Sequence, residues 1–189
     1  ILGIHDGHNS SAALFDGNCV IAAIQEERLR YSKNWTGFPE KSIQWVLDYS
    51  GLSMQDVDQV VFNGNYMPPD LVKDELIQIH KLRWNIQHRI KKFLKKTTIG
   101  NIYRTKNKKA RIEKLTALGF ANDKISFIEH HECHVAASFY GWAKFDEPIL
   151  VLSCDGAGDS LSATVNIGEK GKLTRIASIS ENESLGSLY

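Results

Sequence analysis

Residues 1–25 read ILGIHDGHNSSAALFDGNCVIAAIQ, and this opening stretch decides the fold class. Three apolar runs follow one another in it, and an Asp-Gly pair at 16–17 separates the second run from the third. Short apolar runs joined by Asp-Gly are typical of a β-hairpin, since glycine supplies the positive φ that a tight turn requires. The stretch predicts three antiparallel strands, at about 1–4, 12–15 and 19–24.

The remainder of the chain alternates between helical and strand patterns. The predicted helices span about 39–50, 70–94, 110–118 and 133–142, and the predicted strands span 59–62, 125–128, 149–152, 163–167 and 173–179. Three antiparallel strands followed by strand and helix alternation indicate an α/β fold. We expect an actin-like or sugar-kinase (ribonuclease-H-like) half-domain with a helical insertion at about 70–124.

Composition excludes several classes of protein. The 189 residues include 42% hydrophobic residues, with 23 Lys plus Arg against 22 Asp plus Glu, which excludes disordered, collagen-like and coiled-coil chains. The three cysteines, Cys19, Cys133 and Cys154, have unrelated spacings that indicate reduced thiols. No apolar run approaches the ~18 residues of a membrane span, and the start lacks a signal-peptide pattern. We therefore expect a cytoplasmic protein with no membrane partner.

Positive charge is concentrated in residues 70–124, which hold 15 Lys or Arg against 5 Asp or Glu, a net charge of +10. One interpretation is a surface for nucleic acid or another polyanion. The other is the solvated face of inserted helices, which we favour because few aromatic residues are interleaved with the charges. Nucleic acid is therefore not the expected partner.

Histidines cluster at 129–134, which reads Glu-His-His-Glu-Cys-His. If a helix begins near His130, that residue and His134 lie on one face, where two imidazoles can bind one metal ion, while His131 points elsewhere. The alternative is a set of exposed histidines at a helix start. The metalloprotease pattern H-E-x-x-H is excluded, because His134 comes only three residues after His131.

A glycine-rich stretch at 155–159, Asp-Gly-Ala-Gly-Asp, follows an apolar strand. Gly156 and Gly158 allow backbone amides to approach a phosphate closely, and Asp155 at a strand end can bind a metal or a nucleotide. A simple turn between two strands explains the same residues.

The polar run 5–11, His-Asp-Gly-His-Asn-Ser-Ser, is too long for a minimal hairpin turn. His8 is a candidate general base, and Ser10 and Ser11 are candidate hydroxyl donors, although an Asx-type turn explains the run equally well. Glu26-Glu27-Arg28 is interpreted as the end of the third strand, with its charges either in solvent or in the site. Cys133 and Cys154 are interpreted as small buried residues.

Taken together, these motifs resemble the carbamoyltransferase family, which includes nodulation carbamoyltransferases and antibiotic O-carbamoyltransferases. The motifs that carry the resemblance run from one end of the chain to the other: residues 5–13, 26–28, 38–39, 130–134, 155–159 and 184–186. The basic segment carries none of them.

The resemblance implies a two-domain enzyme. Its N-terminal domain is similar to the universal tRNA threonylcarbamoyl transferase, and its C-terminal domain is similar to the threonylcarbamoyl-adenylate synthase. The C-terminal domain makes carbamoyl-adenylate from ATP and carbamoyl phosphate, and the N-terminal domain transfers the carbamoyl group to a hydroxyl of a sugar-like or natural-product acceptor. We expect residues 1–189 to be the first part of the N-terminal domain, inactive alone, with the adenylate-forming domain absent.

Residue by residue, the resemblance implies that His130, His134 and Asp155 bind a divalent metal, with Fe²⁺ the first candidate. The resemblance also implies a further aspartate ligand beyond residue 189. His8 matches the general base, and Gly156 and Gly158 match the turn beside the adenylate phosphate. We assign Ser11 and Asp155 to the nucleotide site as well.

Two other functions stay open. A small-molecule kinase or ATPase of the actin and sugar-kinase superfold accounts for the glycine-rich stretch and the first hairpin. A non-catalytic nucleic-acid binder accounts for the basic segment. The identity of the acceptor, the choice of metal and the oligomeric state are also open, with a homodimer as one candidate.

Overall fold

The computed structural model describes residues 1–66, 98–142 and 146–185. Within these ranges the strands are β1 Leu2–His5, β2 Ser11–Asp16, β3 Cys19–Gln25, β4 Val60–Asn63, β5 Ile125–Ile128, β6 Ile149–Gly158, β7 Leu161–Glu169 and β8 Lys172–Ser180. The α-helices are α1 Glu26–Arg30, α2 Glu40–Ser50, α3 Thr98–Ala117 and α4 His130–Trp142. Short 3₁₀ turns span Met54–Asp56, Asn122–Lys124 and Glu181–Glu183. The predicted mixed α/β character is confirmed.

The described residues fall into two compact units. The first comprises Ile1–Phe62 and Tyr66–Phe127, and the second comprises Asn63–Asn65 and Ile128–Tyr189. The first contains a five-stranded sheet in the order β3-β2-β1-β4-β5, and the second contains a three-stranded sheet in the order β6-β7-β8.

The predicted opening meander is confirmed. Strand β1 pairs antiparallel with β2, and β2 pairs antiparallel with β3. The β2–β3 hairpin closes with Asp16 opposite Cys19, and Gly17 has a φ of +54° in the turn. Gly17 and Asn18 therefore form the turn, and Gly17 has the role that the sequence suggested, which is to supply a positive φ.

The core of the first unit lies between its sheet and its helices. Strand β4 pairs parallel with β1. Buried residues of both strands, including Leu2 and Phe62, pack with Ile43 and Leu47 of α2 and with Leu115 of α3. Apolar residues at helical spacing in α2 and α3 thus cover the sheet, as expected for amphipathic helices.

The second unit is a meander of β6, β7 and β8 on which α4 packs. The residues of its two hairpin turns have positive φ angles. Asp159 and Ser160 have φ of 48° and 72° between β6 and β7, and Lys170 and Gly171 have φ of 50° and 74° between β7 and β8. Two-residue hairpin turns with two positive φ angles match the right-handed twist of the strands they join.

The structure corrects the prediction for Glu26-Glu27-Arg28. These residues do not end β3 but form the short helix α1. Glu26 is fully buried, and its carboxylate accepts hydrogen bonds from the backbone amide and hydroxyl of Ser42, both at 2.7 Å. It also forms an ion pair with Arg30 at 2.6 Å. Glu26 therefore stabilises the first turn of α2, where backbone amides lack helical acceptors, and neither predicted role applies.

Two other boundaries differ from prediction. Among the described residues, helix α3 spans Thr98–Ala117 and so includes residues before the predicted start at 110, although it ends as predicted just before Gly119, which has a φ of +105°. The predicted glycine loop is part of β6, which continues to Gly158 through a register shift between Cys154 and Gly158. The turn itself is formed by residues 159–160. The predicted helix 70–94 lies outside the described residues.

None of the helices in the described ranges combines the length and the apolar character that crossing a membrane requires.

Candidate metal centre

Helix α4 begins in the His-rich run because two carboxylates accept hydrogen bonds from its first backbone amides. Glu129 accepts one from the amide of His131 at 2.8 Å, and Asp159 accepts one from the amide of His130 at 2.9 Å. These amides have no acceptor within a helix, and negative charge at this end also favours the helix dipole. The helix therefore includes both His130 and His134, one turn apart.

Three side-chain donor atoms converge beside this first turn. Nε2 of His130 lies 2.8 Å from Oδ2 of Asp155 and 3.1 Å from Nε2 of His134. Nε2 of His134 lies 3.6 Å from the same Asp155 oxygen. The histidines share a face because they are four residues apart on a helix, and Asp155 reaches them from the irregular part of β6. The structure thus brings together the three residues predicted as metal ligands.

The chemistry of this donor set fits a divalent transition metal. One atom from each of the three residues can be chosen so that all lie within 4.8 Å of one another, and the part of the chain that the structure describes contains no other group of this kind. Imidazole nitrogen and carboxylate oxygen suit zinc, iron and several other divalent ions. The donor set by itself does not select iron.

Local charges and burial favour the protonation states that bind metals. Burial lowers the pKa of the His134 imidazole below its ordinary value, and the adjacent His130 adds to this, while Asp155 acts in the opposite direction. Burial raises the pKa of the Asp155 carboxyl, but hydrogen bonds from His130 and the Gly156 amide outweigh burial, so the pKa lies below its ordinary value. Neutral imidazole and ionised carboxylate are the ligand forms.

The two glycines of the motif have different surroundings. A Cβ atom added to Gly158 would overlap the ring of His130, lying 2.7 Å from Nε2 and nearer still to Cδ2 and Cγ. A Cβ atom added to Gly156 would meet nothing within 4 Å. Gly158 therefore makes room for a candidate ligand, which the sequence did not suggest. The predicted approach of both amides to a phosphate stays a prediction.

Two neighbours of the three donor residues, His131 and Cys133, are not suited to bind the metal. His131 is fully buried and points away from the cluster, as expected, with Nδ1 2.9 Å from Oγ of Ser153. Burial raises the pKa of the Cys133 thiol to about 11, which keeps it protonated and unsuited to bind metal as a thiolate. Cys133 is half-buried and Cys154 is exposed, so the prediction of a buried Cys154 is wrong.

Glu129 is held by a second partner besides the helix amide. Burial raises the pKa of its carboxyl, but the His131 amide and the guanidinium of Arg175 outweigh burial and bring the pKa below its ordinary value. Arg175 lies on β8 and forms an ion pair with Glu129. The start of α4 is thereby attached to the sheet on which the helix packs.

The predicted residues of the first loop belong to the first unit, whereas the three donor atoms belong to the second. His8 is exposed, and its carbonyl accepts a hydrogen bond from Nε2 of His5 at 2.9 Å. His8 also forms a single β-bridge with Thr36. Ser11 is half-buried and begins β2, opposite His5. The loop therefore has a defined conformation that leaves the His8 side chain accessible to solvent.

The buried ion pair between Asp6, which belongs to this loop, and Arg111 was not predicted from the sequence. Nε and Nη2 of Arg111 donate to Oδ2 and Oδ1 of Asp6 at 2.7 and 2.8 Å, and both side chains are fully buried. The guanidinium also lies 4.2 Å from the centre of the Phe62 ring. The prediction of a solvated basic face is therefore wrong for Arg111. Its helical spacing from the apolar residues Leu115 and Leu118 could have indicated that Arg111 faces the core.

The protein therefore has a mixed α/β fold in which two helix histidines and one strand carboxylate converge. We class it as an α/β protein with a candidate metal centre. The family profile described as Carbamoyltransferase N-terminus matches residues 1–189. The chain belongs to this family, and the resemblance drawn from the motifs is confirmed.

Three curated proteins are similar to this chain over nearly its whole length. Nodulation protein NolNO of Sinorhizobium fredii is 28% identical over 186 residues, which are 96% of this chain and 24% of that protein. An uncharacterized protein of Synechocystis sp. is 30% identical over 96% of this chain and 29% of its own length. One of Methanocaldococcus jannaschii is 30% identical over 100% of this chain and 28% of its own length. The chain spans about a quarter of the length of these curated relatives.

Proposed function

We propose that this chain forms part of the transfer domain of an ATP-dependent O-carbamoyltransferase. The enzyme moves a carbamoyl group from carbamoyl phosphate, through carbamoyl-adenylate, to a hydroxyl of a sugar-like or natural-product acceptor. The observation that carries the proposal is the convergence of His130, His134 and Asp155 in a chain that matches the carbamoyltransferase family over its whole length.

For the fold, we propose an actin-like, ribonuclease-H-like half-domain. The strand order β3-β2-β1-β4-β5 supports this, since the antiparallel strands β3-β2-β1 come first and β4 then joins β1 in parallel. A parallel strand next to a meander needs a crossover connection, here through α2, which covers β2 and β3.

His130, His134 and Asp155 would hold the divalent ion, with Fe²⁺ as the first candidate. Such an ion, when bound, polarises the carbamoyl carbonyl and offsets negative charge on the departing AMP. The residues themselves supply two imidazoles and a carboxylate, and the hydrogen bond from the Gly156 amide to Oδ1 orients the Asp155 carboxylate. Outer hydrogen bonds of this kind fix the orientation of metal ligands in proteins.

His8 takes the role of general base on the acceptor. As the acceptor oxygen bonds to the carbamoyl carbon, the bond from that carbon to the phosphate oxygen breaks and AMP leaves. The imidazole accepts the hydroxyl proton in the same step. The exposed side chain of His8, on a loop fixed by His5 and Thr36, supports this role. Ser11, Gly156 and Gly158 are proposed to contact the adenylate.

The test of the overall reaction is production of AMP from ATP by the full-length protein, with and without carbamoyl phosphate. AMP that depends on carbamoyl phosphate is the expected result. ADP formed with a small-molecule acceptor, and no AMP, would instead indicate the kinase chemistry. The His8→Ala protein should still form carbamoyl-adenylate but should no longer carbamoylate an acceptor, and full transfer by this variant would remove the role of His8.

The metal proposal has a separate test, which is iron content after anaerobic purification. The His134→Ala protein should lose iron, whereas the Glu132→Gln protein should keep it. Glu132 is an exposed residue of the same helical turn, so this variant controls for changes in surface charge. Equal iron content in His134→Ala and wild type would contradict the proposed site.

A further inference from the structure

The carboxylate of Asp159 joins three segments of the second unit. Its Oδ2 accepts a hydrogen bond from the amide of His130 at 2.9 Å and another from the amide of Asn65 at 2.8 Å. Its Oδ1 lies 2.9 Å from the same Asn65 amide, and the Asn65 side chain donates to Oδ2 at 3.2 Å. The carboxylate thereby connects the β6–β7 turn, the start of α4 and the residues that follow β4.

The backbone holds this carboxylate in a fixed place. Asp159 has a φ of 48° and is the first residue of the two-residue turn that closes the β6–β7 hairpin. Aspartate tolerates this left-handed conformation better than most residues with a side chain. Asp159 follows Asp155 by four residues, directly after β6 ends, so its contact with the His130 amide links the strand that carries Asp155 to the helix that carries the histidines.

We propose that Asp159 is a positioning residue for the metal centre. Its hydrogen bond to the His130 amide fixes the first turn of α4 relative to β6, and so sets the separation between the histidine nitrogens and the Asp155 oxygen. Gly158 acts from the other side, because its missing side chain leaves space that the His130 ring fills. The inference rests on the proposed metal centre.

A helix cap without any effect on the metal centre is the competing explanation. Glu129 already accepts a hydrogen bond from the next amide of the helix, at His131, so the helix end keeps an acceptor when Asp159 is removed. A simple cap therefore predicts a small change in stability and an unchanged metal affinity. A positioning role predicts weaker metal binding in protein that is still folded.

The experiment measures the affinity of the full-length protein for Co²⁺, by competition with a chelator under anaerobic conditions, together with the visible absorption of the bound ion. Asp159→Ala should bind Co²⁺ roughly 10- to 100-fold more weakly than wild type, the range found when outer-sphere partners of metal ligands are removed. Its absorption spectrum should also change. Asp159→Asn keeps one acceptor oxygen and should lose less affinity.

Two controls separate positioning from stability. Phe139→Leu alters a buried side chain on the same helix, and Glu169→Gln alters an exposed carboxylate in the same unit. Both variants should bind Co²⁺ as wild type does. If Asp159→Ala does not fold, the Co²⁺ affinity of Asp159→Asn is compared with that of wild type instead. We then expect a measurable loss of affinity in Asp159→Asn.

Three results would overturn the inference. Wild-type affinity in Asp159→Ala, or in Asp159→Asn when only that variant folds, would reduce Asp159 to a cap. An equal loss of affinity in Phe139→Leu would assign the effect to general destabilisation. No Co²⁺ binding by wild type would remove the proposed metal centre, and the inference with it, which is distinguishable from the first two results.

Discussion

Replacing Arg111 with Met tests how the loop that carries His8 is held. Methionine keeps an apolar stem of similar length between the rings of Phe62 and Phe127, whose centres lie 4.2 and 4.9 Å from the guanidinium carbon. The substitution therefore removes the charge and the two hydrogen bonds to Asp6, and leaves most of the packing.

The expected loss of stability is large because both partners are fully buried. Removing one member of a buried ion pair leaves an uncompensated charge and costs about 3–5 kcal/mol. The lost cation–π contact adds up to ~2 kcal/mol at a site without water. A loss of 3–5 kcal/mol corresponds to a fall of roughly 10²- to 10⁴-fold in the protection of the slowest backbone amides against hydrogen exchange.

The loss should also grow with pH. Burial raises the pKa of the Asp6 carboxyl above its ordinary value, and Arg111, followed by His5, opposes that shift. Without Arg111 the folded-state pKa rises further. A group whose pKa is raised by folding stabilises the protein below its unfolded pKa and loses that contribution as pH rises through the folded value. The difference between Arg111→Met and wild type should therefore be smaller at pH 5 than at pH 8.

The assay is hydrogen exchange followed by mass spectrometry on peptides from β1 and α3, corrected for the intrinsic effect of pH. Lys109→Met is the matched control, since Lys109 lies on the same helix with its side chain 77% exposed. The double variant Asp6→Leu/Arg111→Met should recover much of the protection, because no charge is then buried without a partner. Equal loss in Lys109→Met, or no recovery in the double variant, would refute the reasoning.

Further substitutions test the metal centre and the α2 terminus. Gly158→Ala should weaken Co²⁺ binding at least tenfold, because the new methyl group displaces the His130 ring, whereas Gly156→Ala should bind as wild type does. Wild-type affinity in both glycine variants would contradict the steric argument. Glu26→Gln should lower the urea midpoint by the equivalent of about 1–3 kcal/mol, since the amide has only one acceptor oxygen for the donors around it, which include Ser42. An unchanged midpoint would show that the charge is dispensable there.

Local sequence patterns predicted the features of this protein that depend on neighbouring residues. The Asp-Gly turn at 16–17, the helix stop at Gly119 and the pairing of His130 with His134 each follow from conformational preferences or spacing within a few residues. The approach of Asp155 to the histidines could not be derived from spacing. That prediction rested on the family resemblance, and the structure places Asp155 beside both histidines.

The contacts that could not be predicted from the sequence join residues far apart in the chain. Asp6 and Arg111 are separated by 105 positions, and Asp159 and Asn65 by 94. Composition assigns an arginine in a basic stretch to solvent, and only the tertiary fold can supply a buried carboxylate as its partner. The same limit explains Glu26, whose helix-capping role depends on Ser42 in the next helix.

The candidate metal centre differs from the other carboxylate sites in the kind of atoms that face one another. Glu26 and Asp159 are surrounded by N–H and O–H donors, which satisfy a negative charge without a metal ion. At the cluster, Nε2 of His130 lies within hydrogen-bonding distance of two acceptor-capable atoms, Nε2 of His134 and Oδ2 of Asp155. A single Nε2 proton on His130 can serve one of these well, whereas a cation can accept lone pairs from all three donors at once. This electrostatic demand is the physical reason to place a divalent ion there.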